Sequence, residues 1–322
     1  MTDGGRYGTG LVTFGETMGL VTAGETGPLE FARTFTLGIG GAESNVAIGV
    51  ARLGSPVTWF GRIGSDATGD LIERRLYAER ITTVAIRDSG FTGLMVKHRR
   101  FGTTWRVDYH RAGSAGSRLC PDDVPVDAVR AAAILHLTGI TPALSDSARE
   151  ATLHSVGLAR AAGVVVSVDV NYRGKLWDPR TAGPVLRDLV TRADIVFAGP
   201  AEARLVLGSA APGSTADLVR ALADLGPAEA VVKDGARGCV ALVDGAHHEV
   251  PALAVDVVDP VGAGDAFVAG YLAERLDGHE PARRLATAIT AGAFAVTVPG
   301  DCEGLPRRAD LDAVAGTDDV AR

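Results

Sequence analysis

The sequence predicts an α/β fold: a mostly parallel sheet with helices on both faces, plus a small β-sheet standing apart from it. Short β-branched runs alternate with Ala- and Leu-rich stretches of helical period along most of the 322 residues. The alternation fails twice, over Leu20–Thr36 and Phe91–His110, where strand-like residues have no helix between them. Hydrophobic residues make up 46% and charged residues 22%, which suits a globular chain with a large core.

The main-sheet strands are predicted at Leu11–Gly15, Val57–Gly61, Ala133–Leu137, Val164–Asp169, Asp194–Ala198, Ala230–Lys233 and Cys239–Val243. Helices are predicted at Asp146–Ala162, Ala216–Leu225, Asp265–Leu276 and Pro281–Val296, and the 41 glycines suit close helix–sheet packing. Phe91–His110 reads as a hairpin: Thr92–Arg99, a Phe-Gly-Thr turn, then Thr104–Tyr109. Such a helix-free sheet suits a lid over a cleft or a dimer interface. Near the C-terminus an apolar, β-rich run, Leu253–Val258, leads into Asp259–Phe267, after which Phe267, Val268, Tyr271, Leu272 and Leu276 recur at helical spacing.

A net charge of −7 disfavours a general nucleic-acid partner. Cys120, Cys239 and Cys302 are few, scattered and odd in number, which fits a reducing compartment. No apolar leader and no membrane-length apolar stretch is present, so the expected placement is cytoplasmic, with Met1–Gly10 as a disordered tail.

The densest chemistry lies in Gly262-Ala263-Gly264-Asp265, where a loop becomes a helix. A helix start offers free N–H groups and a positive dipole end, and glycines let a phosphate come close. Asp265 in the first turn stands beside any bound anion and can act as a base toward a hydroxyl. The same four residues also suit an ordinary Gly-rich turn with a helix-start Asp. Two better-known phosphate loops are excluded. The pair Gly174-Lys175 has Asp169 where a Walker loop needs Gly, and the dinucleotide fingerprint meets Phe267 after Gly262-x-Gly264 and Glu43 after Gly38-x-Gly40.

With these residues in place, Asp259-Pro-Val-Gly-Ala-Gly-Asp-Ala-Phe-Val-Ala-Gly-Tyr-Leu272 resembles the C-terminal signature of the ribokinase-like (PfkB) sugar kinases. Gly40-Gly41-Ala-Glu-Ser-Asn45-Val-Ala47 is similar to the N-terminal signature, and Gly61-Arg-Ile-Gly64-Ser-Asp66-Ala-Thr-Gly69 to another recurrent family segment. The resemblance implies one doubly wound ribokinase-like domain over 11–315, with lid strands from about 17–40 and 90–112. It implies Asp265 as the base toward a sugar hydroxyl, with Gly262, Ala263 and Gly264 as an anion hole, and ATP with Mg2+ as donor and cofactor. Activation by a monovalent cation such as K+ is left open. Lys233-Asp-Gly235-Ala-Arg-Gly238 resembles a nucleotide-binding loop; its alternative is a simple hairpin turn. Glu202 matches the acidic residue of a Mg2+-linked motif, but Gly199 replaces that motif's Asn.

Within the family the 2-keto-3-deoxygluconate kinases fit best, through Gly90–Gly93, Tyr109–Ser117, Leu135–Leu144, Asp169–Arg173 and Gly300–Gly304. A sugar acid needs a cation for its carboxylate, and Arg111 and Arg173 are the candidates; a surface ion pair is the alternative for each. The same resemblance implies Gly41 and Asn45 on the sugar hydroxyls, Tyr109 at the acid end and Asp301 on a hydroxyl near the reacting end. It also sets Asn171 and Arg173 near the nucleotide phosphates. Met95 and His110 depart from positions where relatives carry Tyr. Other expected readings are a kinase for fructose or a related keto-deoxy acid, and a catalytically silent sugar-binding regulator. A homo-oligomer through the lid sheet is expected. His247-His248 reads as part of a turn without a metal-ligand set, and His136, Trp59, Trp177 and Cys302 read as packing residues.

Overall fold

The computed structural model describes residues 10–102 and 104–315. The expected tail lies outside them except for Gly10, as does Thr103 of the expected hairpin turn.

The chain begins with β1 (Leu11–Phe14), leaves for β2 (Met18–Thr26) and β3 (Phe35–Gly40), and returns through α1 (Ala42–Arg52), β4 (Val57–Gly64), α2 (Ala67–Ala78) and β5 (Thr82–Asp88). A hairpin of β6 (Leu94–Phe101) and β7 (Thr104–His110) is the second excursion. There follow α3 (Val126–Ala131), β8 (Ile134–Thr138), α4 (Asp146–Ala161), β9 (Val165–Asp169), α5 (Pro179–Thr191), β10 (Ile195–Ala198), α6 (Pro200–Leu207), α7 (Thr215–Ala223) and β11 (Glu229–Lys233). The strands β12 (Cys239–Val243) and β13 (Ala246–Val250) precede α8 (Ala263–Leu276), α9 (Pro281–Val296) and α10 (Arg308–Ala315).

Nine strands form the main sheet in the order β13-β12-β11-β10-β9-β8-β1-β4-β5, and the two excursions form a second sheet, β3-β2-β6-β7. From β11 to β5 every neighbouring pair is parallel; β12 and β13 are antiparallel. Strand order runs one way from β1 through β4 and the other way from β8. The switch point lies between β1 and β8, the place where open α/β sheets leave a crevice at their carboxyl ends.

Burial on both faces explains the apolar strands. Leu11 joins a core with Trp59, Tyr271 and Leu285, while its neighbours Val12 and Phe14 join the opposite core with Phe60, Leu135 and Val156. This is the two-residue alternation of a strand covered on both sides. The four-stranded sheet differs: Met18, Leu20 and Met95 form a small buried cluster, whereas Phe35 and Leu37 of β3 stay exposed.

Two expectations are corrected. Leu253–Val258 is not a strand: Leu253, Val255 and Val257 are exposed, and the segment has no strand ladder. Val258 N and Asp259 N both donate to Val296 O at the end of α9 (2.8 and 3.1 Å), so the run is an irregular lead into α8. His247 and His248 lie within β13, paired to Leu242 and Ala241, and the turn is Asp244-Gly245. No helix among the described residues is long and apolar enough to cross a membrane.

Candidate active site

The start of α8 is shaped by Gly262, which caps the helix at φ 82°. A Cβ there would be strained and would collide with the backbone oxygen of Asp301, so the position requires glycine. The first helical bond runs from Ala266 N to Gly262 O (2.8 Å), leaving the amides before it without an intrahelical partner. The helix starts at Ala263, two residues earlier than predicted, and places Asp265 in its first turn.

Three segments distant in sequence meet at Asp265. Asn45, in the first turn of α1, donates from Nδ2 to Asp265 Oδ2 at 2.8 Å, and Asn171, just past β9, donates to Oδ1 at 3.4 Å. Asn171 holds a left-handed backbone (φ 38°), which Asn tolerates better than most residues. Burial pushes the Asp265 carboxyl up to about 7, against the Asn45 bond and the charge of Arg173. The nearby Asp169 charge adds to the rise, and Lys233 opposes it.

Lys233, at the end of β11, pairs with Asp169 Oδ2 at the end of β9 (2.7 Å). Burial disfavours its ammonium, but Asp169 and Glu202 outweigh it and hold the Lys233 pKa above its ordinary value. Asp169 Oδ1 is buried without a partner, as is Asn45 Oδ1. Both Glu202 oxygens are taken by backbone amides: Oε1 by Tyr172 N (2.9 Å), Oε2 by Gly199 N (2.6 Å).

These groups floor a cleft of about 1120 Å3 roofed by the four-stranded sheet. Gly41, Asn45, Asn171 and Arg173 line it, as do Tyr109, Arg111 and Asp301. So do Glu202, Lys233, Gly262, Gly264 and Asp265. Ala263, Gly235 and Gly238 do not. Gly235–Arg237 is a single 3-10 turn joining β11 to β12, and Gly238 (φ 95°) packs on the backbone of Val250–Ala252. Arg111 pairs with buried Glu16 at 2.5 Å, and Glu16 also accepts from Ser114. Arg173 is exposed; its backbone oxygen accepts from Leu176 N (2.9 Å), and its side chain makes no hydrogen bond or ion pair among the described residues. The Tyr109 ring stands between Arg111 (5.9 Å) and Lys175 (5.6 Å).

Sequence reasoning missed four carboxyl groups of this cleft: Glu16, Glu43, Asp108 and Asp169. Glu43 Oε1 accepts from Thr138 (2.6 Å) and Thr141 (2.7 Å), and burial pushes its pKa up. Asp169 carried a usable signal, an acidic residue at the carboxyl end of a predicted strand. Trp59 and Cys302 are buried packing residues as expected; His136 is a core residue only half satisfied, its Nδ1 meeting Ser167 Oγ at 3.1 Å while its buried Nε2 finds no partner among the described residues. Among the described residues the one group spaced to hold a metal is Glu274, Asp277 and His279, outside the cleft lining, with Glu274 already paired to Arg283 and Arg308.

Comparison with known proteins gives this geometry its family. A 2-dehydro-3-deoxygluconokinase of Bacillus subtilis is 37% identical over 305 residues, 93% of each chain. A 2-dehydro-3-deoxygalactonokinase of Haloferax volcanii is 34% identical over 294 residues, covering 90% of this chain and 92% of that one. An Escherichia coli protein of ribokinase II type, solved with ATP and Mg2+, superposes with a TM-score of 0.87 at 25% identity, over 95% of this chain and 99% of that one. The model of the pfkB family carbohydrate kinases matches residues 9–308, and the chain belongs to that family.

Proposed function

We propose that this carbohydrate kinase uses ATP to phosphorylate the terminal hydroxyl of a sugar acid, 2-keto-3-deoxygluconate, giving the 6-phosphate. The observation that carries the reading is Arg173: an exposed guanidinium with no side-chain partner among the described residues, in the same cleft as the buried base Asp265. A neutral sugar has no use for such a cation, whereas a carboxylate binds it through paired hydrogen bonds.

In this reading the sugar hydroxyl loses its proton to Asp265, its oxygen attacks the γ-phosphorus, and the bond to the β-phosphate oxygen breaks to release ADP. The unpaired amides at the start of α8, around Gly262, Ala263 and Gly264, receive the charge on the transferred group. Asn45 and Asn171 hold the Asp265 carboxylate in place. Asn45 Oδ1 remains open to a sugar hydroxyl, with Gly41 and Asp301 beside it in the lining. Lys233 and Asn171 face the phosphates.

Mg2+, when bound with ATP, neutralises phosphate charge. Asp169 Oδ1 lacks a protein partner and fits such an ion. Glu202, with both oxygens on backbone amides, fits only an indirect role through water. Tyr109 and Arg111 read the acid end from the roof. The chain is read as one kinase unit, 11–315, whose four-stranded sheet is a lid that excludes water on closing. Exposed Phe35 and Leu37 on that sheet support self-association through it.

A panel of sugars with ATP and Mg2+ tests the proposal. The keto-deoxy acids, in gluconate and galactonate configuration, are expected to exceed fructose by about 10²-fold or more in kcat/KM, since a site built for a polar group rejects substrates lacking it. Better turnover of fructose would sink the acid reading. Sugar binding without turnover of any substrate would instead favour a silent binding protein. The same assay with and without K+ reads monovalent-cation dependence.

A further inference from the structure

Lys97, midway along β6, has no exposed surface, yet it ends in a charge. Its ammonium meets Asp259 Oδ2 at 2.6 Å and Asp301 Oδ1 at 3.2 Å. It also lies 5.0 Å from the centre of the Trp105 ring on β7, whose Nε1 donates to Val258 O (3.3 Å). Two of these three polar contacts from the roof land on Val258 and Asp259, which open the turn into α8, and the third lands on Asp301. Asp259 in turn accepts from Val261 N (3.2 Å) and Gly300 N (3.1 Å), and Asp301 supplies the backbone oxygen against which Gly262 packs.

Removing three ionisable groups from water costs several kcal/mol per ion before pairing repays it, and apolar side chains of similar volume would pack as well. Met95, two residues earlier on the same face of β6, shows that the sheet accepts an apolar residue there. Packing alone thus does not account for the triad. We infer that Lys97 is a positioning residue that ties the four-stranded sheet to the Gly262–Gly264 turn, so that the seating of the roof and the geometry of the phosphoryl-receiving amides are set together. Asp259 and Asp301 are the two anchors, and the ammonium is the group that holds both against the turn.

The inference rests on the reading of Asp265 and the α8 amides as the reaction centre, and Asp265→Asn serves as the control for that reading. Lys97→Met keeps the length and removes the charge. Misplacing the turn by about 1 Å is expected to lower kcat by about 10²-fold, while KM for the sugar rises only a few-fold, through Asp301, which loses its cation but stays in the cleft lining. Burial already raises the Asp301 carboxyl and the Lys97 charge opposes that rise, so loss of the charge pushes Asp301 higher still. Glu303 faces Asp301 from the same segment, with Arg75 of α2 beside it; Arg52 of α1 holds Cys302 O, and Arg99 lies over Trp105. The variant's kcat should accordingly fall as pH is raised above neutral, where the native rate does not, and ammonium ion should restore part of it.

Unchanged kcat in Lys97→Met, with Asp265→Asn inactive, overturns the inference and leaves the reaction centre standing. A loss of kcat with neither the new pH dependence nor rescue by ammonium also overturns it, because a purely structural defect behaves that way. If Asp265→Asn retains turnover, the reading beneath both is wrong. Should Lys97→Met not fold, Trp105→Phe decides: it removes the donor to Val258 O and keeps a ring beside Lys97. A several-fold lower kcat at unchanged sugar KM supports the coupling, and native kinetics contradict it.

Discussion

On the floor of the cleft, buried Asp265 and Asp169 and half-buried Lys233 stand on strand ends and the first turn of a helix, bonded to one another or to Asn45 and Asn171. On the roof, Tyr109 is partly exposed, Met95 is apolar, and the charge of Arg111 is already met by Glu16. The floor is built on a nine-stranded sheet with cores on both faces; the roof is four strands with one small buried cluster. A preset, low-dielectric floor suits the chemical step, and a lightly supported roof suits selection and closure. On this division, substitution of the buried floor groups should act on kcat and substitution of the groups that face the sugar acid on KM; Lys97 is the exception on the roof, because its ammonium ties that sheet to the turn into α8.

The largest expected effect is on the floor. Asp265→Asn removes the proton acceptor and should lower kcat by about 10³-fold, near the middle of the range for positioned acid–base groups. Sugar binding measured by calorimetry should change only a few-fold. Since burial pushes the carboxyl up to about 7, the native rate should rise with pH and level off above that value. Stability runs the other way. A carboxyl whose folded pKa is above its unfolded value binds more protons in the native state, so it destabilises the fold progressively as pH rises from about 4 through 7. The Asn variant lacks that cost and should melt several degrees higher than the native protein at pH 8. Native-level turnover in the variant would remove Asp265 from the mechanism.

Floor and roof also differed in how far they could be read without coordinates. The α8 start was legible because Gly-Ala-Gly-Asp followed by a helical apolar period is a local pattern, and the β-branched runs of the main sheet mark strands buried on both faces. Leu253–Val258 has the same local character but pairs with no strand, and a strand exists only with a ladder. The buried carboxyl groups were hidden for a different reason. Glu16 meets Arg111 across 95 residues, and Lys97 meets Asp301 across 204, so no window along the chain contains both partners. A glycine required by a turn, as at Gly238, looks locally the same as one required by a ligand.

The two arginines test the comparison next. Arg173→Ala removes an unpaired cation and should raise KM for the sugar acid by roughly 10- to 100-fold, the weight of a hydrogen bond to a charged group. Turnover of a neutral sugar should be nearly unchanged. Arg111→Ala should raise the acid KM less, since Glu16 already offsets that charge, but it leaves Glu16 buried without a counter-ion and should lower the melting temperature more. Equal KM changes for acid and neutral sugars in Arg173→Ala would undo the carboxylate assignment.

Met95→Tyr should have the smallest effect, and it tests whether the roof selects at all. Met95 is 4% exposed and packs with Met18 and Leu20 on the cleft side of the sheet. Its Cε lies close against Gly40, so a rigid ring must turn away from that glycine and toward the cleft. There its hydroxyl gains a partner only when an acid or hydroxyl of the sugar is present. One neutral hydrogen bond contributes about 1 kcal/mol, a three- to ten-fold lower KM for the keto-deoxy acid at unchanged kcat. A lower kcat at the same KM would mean that the roof shapes the chemical step directly, and the division of labour between the two faces of the cleft would fail at that residue.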